Sequence, residues 1–139
     1  MDKVIAGLLK KYKTNCPFLI AKYRGVKITY ADLGESTWGV YYSKFRQRYI
    51  VIHNKLCEDW QRLICAHELG HDVLHSGINR FFIDDRTFYI SAKHERQANI
   101  FAVHLLTALE TIQDGESITD FFSRNNIPPE MVLYYKGVI

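Results

Sequence analysis

His67-Glu68-Leu69-Gly70-His71 carries two imidazoles four positions apart with a carboxylate between them. On a helix, residues four apart stand one above the other, about 6 Å apart along the axis. Two imidazoles so placed can converge on one zinc ion at about 2 Å each. Glu68 then lies about 100° round the helix from His67, beside the metal. A general base must sit there to take a proton from metal-bound water. The chemistry that such a set suits is metal-assisted peptide hydrolysis, with one Zn2+ per chain.

A catalytic zinc needs a third protein ligand and an open fourth position. Two residues compete for the role. His75 lies four residues beyond His71, but on a straight helix 67, 71 and 75 form a column, and one ion does not easily reach both ends. The longer pattern that adds a third histidine bends the chain with a glycine, and here Leu74 stands at that glycine's position. His75 therefore reads as a packing residue or one that orients a ligand. Glu95 is the better ligand. It lies 24 residues past His71, at the start of the stripe 95, 98, 102, 106. A carboxylate on a buried stripe is costly unless something pairs with it, and a metal would. Asn99, one turn on, could accept from a ligating histidine's second N–H. The alternative is a solvated Glu95 favoured by the helix dipole. His104 lies about 180° from Glu95 and points away.

These side chains need elements to hold them. Residues 2–12 read as a short helix. Pro17 opens a second, "PFLIAKYRG", stopped by Gly25. "VKITYADLG" alternates Val26, Ile28 and Tyr30 with polar residues, as a half-buried strand does. "WGVYYSKFRQRYIVIHN" reads as a hairpin turning through a solvated, basic "KFRQR". In its second arm Ile50 and Ile52 face one way, and Tyr49, Val51 and His53 the other. From Glu58 or Asp59 to Gly77 the period becomes helical, with Trp60, Leu63, Ile64 and Leu74 on the apolar side. "GINRFFIDDRTFYIS" reads as irregular. Ala92 to about Leu109 carries a helical stripe at 98, 101, 102, 105, 106 and 109. Ser117 caps a short helix, and Pro128 and Pro129 precede another. Phe121, Phe122, Met131 and Leu133 would pack these two on the core. The expected class is α+β: a small antiparallel or mixed three-stranded sheet packed on the H-E-x-x-H helix and the following ligand helix.

The chain has 139 residues, which suits a single domain over 1–139. Its net charge of +3 gives no reason to expect direct nucleic-acid contact or an anionic membrane. Cys16, Cys57 and Cys65 form no C-x-x-C pair. They suit a reducing compartment, each as a small core residue. The apolar run Val4 to Leu9 is too short for a signal peptide or a membrane span. A cytoplasmic, unanchored protein is expected.

"AHELGHDVLH" followed by "ERQANIFAVHLL" resembles the ImmA/IrrE family of small zinc metallopeptidases. The upstream "PFLIAKYRGVKITYADLG", the hairpin ending "YIVIHNKL" and "QRLICAHELGH" follow that family's order, so the resemblance covers roughly residues 15–109. It implies a minimal zincin-like core, a metal held by His67, His71 and Glu95, and Glu68 as base. It also implies that the chain is encoded on a phage or mobile element and that its substrate is a helix-turn-helix repressor. The peptide would lie extended along the hairpin's exposed edge. Tyr41, Tyr42, His53 and Tyr89 stay open as donors to the oxyanion. A second function class also stays open: a non-hydrolytic anti-repressor, binding its partner in the same groove around a structural metal.

Overall fold

The first apolar run turns Ile5 and Leu8 to one face and forms α1, Asp2–Tyr12. The computed structural model describes residues 1–75 and 92–135. The helix stop at Gly77, the irregular reading of residues 77–91 and the candidate Tyr89 lie outside the described residues. Pro17 occupies the first turn of α2, Pro17–Tyr23, where its missing N–H costs nothing. Gly25 follows at φ +79°, a left-handed stop that side chains disfavour.

Three strands come next: β1 (Val26–Ala31), β2 (Gly39–Lys44) and β3 (Gln47–His53). Their spatial order is β1-β3-β2, with β3 antiparallel to β2 and parallel to β1. The sheet is thus mixed, and β2 forms one of its edges. The hairpin turn is tighter than the expected "KFRQR". Only Phe45 and Arg46 lie between the strands. Both have positive φ, 52° and 66°, as a two-residue turn of the primed type requires. Lys44, Gln47 and Arg48 are strand residues, and Arg48 reaches a buried aspartate instead of forming a solvated tip. Ile50 and Ile52 are fully buried. His53, expected with Tyr49 and Val51 on the outer face, is buried too. Its Nε2 lies 2.7 Å from the Gly34 carbonyl, and its Nδ1 accepts from the Lys55 N–H. This ties down the loop leading to β2.

The core lies between the sheet and two long helices, α3 (Glu58–His75) and α4 (Ala92–Leu106). α3 packs on β2 and β3 and, on its other side, on α4. Gly70 allows that second contact. A Cβ there would stand 2.9 Å from the ring of Phe101, so only glycine lets the helices approach this closely. The α4 stripe Ala98, Ala102, Leu106 is buried as expected, but the helix ends at Leu106 and Leu109 is 64% exposed. Asp72 on α3 is fully buried. It accepts from Tyr41 Oη at 2.6 Å, Arg24 Nε at 2.7 Å and Arg48 Nη1 at 2.7 Å. One carboxylate thus joins α3 to the C-cap of α2, to β2 and to β3.

Helix α5, Ile118–Arg124, starts at Ser117, whose hydroxyl accepts from the Asp120 N–H at 3.0 Å. The last element is a 3-10 helix, Pro129–Tyr134. Phe121, Phe122 and Met131 enter the core, while Leu133 stays 47% exposed. Of the three cysteines only Cys65 is a fully buried core residue; Cys57 is exposed. No described helix is long and apolar enough to cross a membrane. The whole is α+β, consistent with a minimal zincin-like domain.

Candidate metal centre

Successive turns of α3 face the first two turns of α4: His67 meets Asn99, His71 meets Glu95, and His75 meets Gln97. The Gly70 contact holds the two helices close enough for these side chains to touch. Nε2 of His71 lies 2.8 Å from Glu95 Oε1, and Nε2 of His67 lies 3.3 Å from Glu95 Oε2. One ligand atom from each of His67, His71 and Glu95 falls within 4.8 Å of the others. The two rings stand edge to face, 4.9 Å apart.

The donor chemistry fits a divalent ion. Nδ1 of His67 lies 2.8 Å from Asn99 Oδ1, an acceptor, so that nitrogen carries the proton and Nε2 offers a lone pair. Nδ1 of His71 lies 3.2 Å from Nδ1 of His75, whose Nε2 is 2.9 Å from Gln97 Oε1. With Gln97 accepting, the His75 proton sits on Nε2. His75 Nδ1 then accepts from His71, whose Nε2 is left with its lone pair toward Glu95. Glu95 Oε1 is buried without a hydrogen bond, although the carboxylate side chain is 42% exposed. A carboxylate oxygen and two imidazole lone pairs turned on one point form an N2O set of the kind zinc takes.

Charge follows this geometry. Burial alone would raise the Glu95 carboxyl, but the two imidazoles facing it outweigh that and hold it well below the usual carboxylate range. Burial opposes a charge on His67, but Glu95 and Glu68 beside it prevail and its pKa is raised. Glu68 is buried, its Oε2 3.7 Å from His67 Nε2.

His67, Glu68, Glu95 and Asn99 line a cleft of about 380 Å3. Gly39, the first residue of β2, brings the sheet edge into it. A Cβ at Gly39 would stand 2.4 Å from Ile64 Cγ2 and 3.2 Å from Glu68 Cγ. Tyr41, Tyr42 and His53 do not line the cleft. Tyr41 bonds Asp72, Tyr42 stacks on Tyr49, and His53 holds the Gly34 loop. His104 lies away from the centre, 3.5 Å from Asp2 of α1. Two participants escaped the sequence reading. Gln97 carries no local spacing that ties it to His75, and Gly39 looks like any strand-start glycine until the helix behind it is known.

An H-E-x-x-H helix, a glutamate from the next helix and a small mixed sheet define a zincin-like metallopeptidase domain. The chain belongs to the peptidase family described as the IrrE N-terminal-like domain, which matches residues 21–117. Over 131 residues it is 34% identical to Uncharacterized immunity region protein 2 of Bacillus phage phi105, covering 91% of this chain and 83% of that protein. Over 137 residues it is 26% identical to Metallopeptidase ImmA of Bacillus subtilis (strain 168), covering 95% and 80%. These relationships support a metallopeptidase role and a phage-associated origin.

Proposed function

We propose that this chain is a cytoplasmic zinc endopeptidase whose substrate is a helix-turn-helix repressor. His67, His71 and Glu95 hold the ion, and Glu68 is the general base. The observation that carries the reading is the convergence of two imidazole Nε2 atoms and the Glu95 carboxylate, with Glu68 beside them. A divalent ion held there supplies Lewis acidity, acidifying a water and polarising a peptide carbonyl. Glu68 takes the proton of the attacking water and passes it to the leaving amine. Asn99 and His75 turn the two ligating rings. The edge of β2 that no described strand pairs supplies backbone partners for an extended peptide, and Gly39 sets that edge against Glu68. The name of the phage relative, an immunity region protein, agrees with a repressor as substrate.

The test pairs metal analysis with repressor cleavage. Wild type and Glu68→Gln, purified without added metal, should each hold about one zinc per chain, the number of such sites proposed. Only wild type should cut a helix-turn-helix repressor, while Glu68→Gln still binds it. If Glu68→Gln relieves repression as fully as wild type, hydrolysis is not the mechanism and the non-hydrolytic anti-repressor takes its place.

A further inference from the structure

The cleft is lined by two chemically different sets of residues. One is His67, Glu68, Glu95 and Asn99. The other is Trp38, Trp60, Leu63, Ile64 and Met131, with the neutral Ser36, Thr37 and Gly39 completing the lining. Trp38 and Trp60 meet edge to face, 4.8 Å between ring centres. Trp38 is 42% exposed, a large apolar surface left in solvent one residue from the strand edge. Apart from the residues of the metal centre, no charged side chain lines the cleft among the described residues. A charged substrate side chain placed there would lose water and find no countercharge outside the metal centre. A large apolar one would cover the exposed indole and displace water.

From this we infer that Trp38 and Trp60 form a specificity subsite for a large apolar side chain, one of the two residues flanking the cleaved bond. The inference rests on the peptidase reading above for its location, since the indoles share one cleft with Glu68. Trp38 precedes the β2 edge and Trp60 lies two turns before His67 on α3. A peptide following that edge therefore reaches the indoles within about one residue of the carboxylates, since a strand rises about 3.3 Å per residue.

The experiment uses peptide mixtures in which one position at a time is fixed as Phe, Leu, Met, Ala, Asp or Lys, incubated with the zinc-loaded chain and read by mass spectrometry. Cleavage should favour Phe, Leu or Met at one position flanking the cut by at least about tenfold over Ala, Asp and Lys. Trp38→Ala and Trp60→Ala should each flatten that ratio, with folding checked by circular dichroism. Trp38 is exposed enough for its variant to fold if the Trp60 variant does not. In parallel, zinc-loaded Glu68→Gln is titrated with the same peptides and tryptophan emission is followed. It should bind the apolar series at least about tenfold more tightly than the Ala series. Cleavage by wild type with no apolar preference, or with a preference that Trp38→Ala leaves intact, overturns the subsite and leaves hydrolysis standing. Selective binding by Glu68→Gln beside a wild type that cuts nothing supports the subsite and removes the hydrolytic reading.

Discussion

Oε1 of Glu95 stands 2.8 Å from Nε2 of His71, buried and without a hydrogen bond. The two atoms lie on different helices, and their contact is favourable only with a proton or a cation between them. Glu95→Ala should therefore lower zinc affinity by well over the 10–100-fold typical of a residue that only orients a ligand. Competition with a chromophoric chelator measures it. His75→Ala should fall within that smaller range. The reverse ranking would make His75 the third ligand.

Gln97 acts two bonds away from the centre. Its Oε1, 2.9 Å from His75 Nε2, sets which nitrogen of His75 and then of His71 carries a proton. Gln97→Leu removes that acceptor and should weaken zinc binding about 10–100-fold, while nitrogen chemical shifts of His71 report mixed tautomers. Unchanged shifts would show that His71 is oriented by something else.

Zinc retention should fall with acidity, and the sign follows from His67. Its raised pKa means that the metal-free site keeps this proton to a higher pH than an ordinary imidazole, so the ion must displace it. Glu95 is shifted the other way and stays ionised. Below the His67 pKa, zinc affinity should drop by about tenfold per pH unit for the one displaced proton. Calorimetry in buffers of different ionisation heat counts that proton. A flat profile between pH 8 and pH 6, a range of roughly two units around the ordinary imidazole value, contradicts it.

Asp72 is the anchor of the metal helix. Asp72→Ala leaves Arg24, Arg48 and Tyr41 without their shared acceptor. The two guanidinium groups are partly exposed, 22% and 31%, and can rehydrate. The loss in urea denaturation should thus sit near the lower end of the range for a broken buried pair, about 3 kcal/mol. Asp72→Asn, which keeps one oxygen, should lose less.

Gly39 separates binding from catalysis. In Gly39→Ala the new Cβ meets Ile64 and Glu68, so the β2 edge or the Glu68 side chain must shift. We expect about 1–3 kcal/mol of destabilisation, near-normal zinc content, and peptide cleavage reduced by at least about tenfold, as a sub-ångström displacement of a reacting group produces. Wild-type turnover in this variant would mean that the edge strand does not position the reaction.

How much of this was open to sequence reasoning depends on the range of each interaction. The fourfold spacing of His67 and His71, the carboxylate beside them and the stripe that begins at Glu95 are local. A helix repeats every 3.6 residues whatever surrounds it, so these patterns are legible without a fold. So are the Pro17 start, the Ser117 cap and the aromatic hairpin. Contacts between distant segments decided the rest. The parallel pairing of β1 with β3 rather than with its neighbour β2, the buried Asp72 hub, the reach of Gln97 to His75 and the fit of Gly39 against Glu68 join residues 20 to 50 positions apart. The energy of each depends on a second surface that the local chain does not specify. Even the tight Phe45-Arg46 turn belongs to this group: two residues that disfavour positive φ adopt it because the strands on either side pair in a register that leaves no other closure.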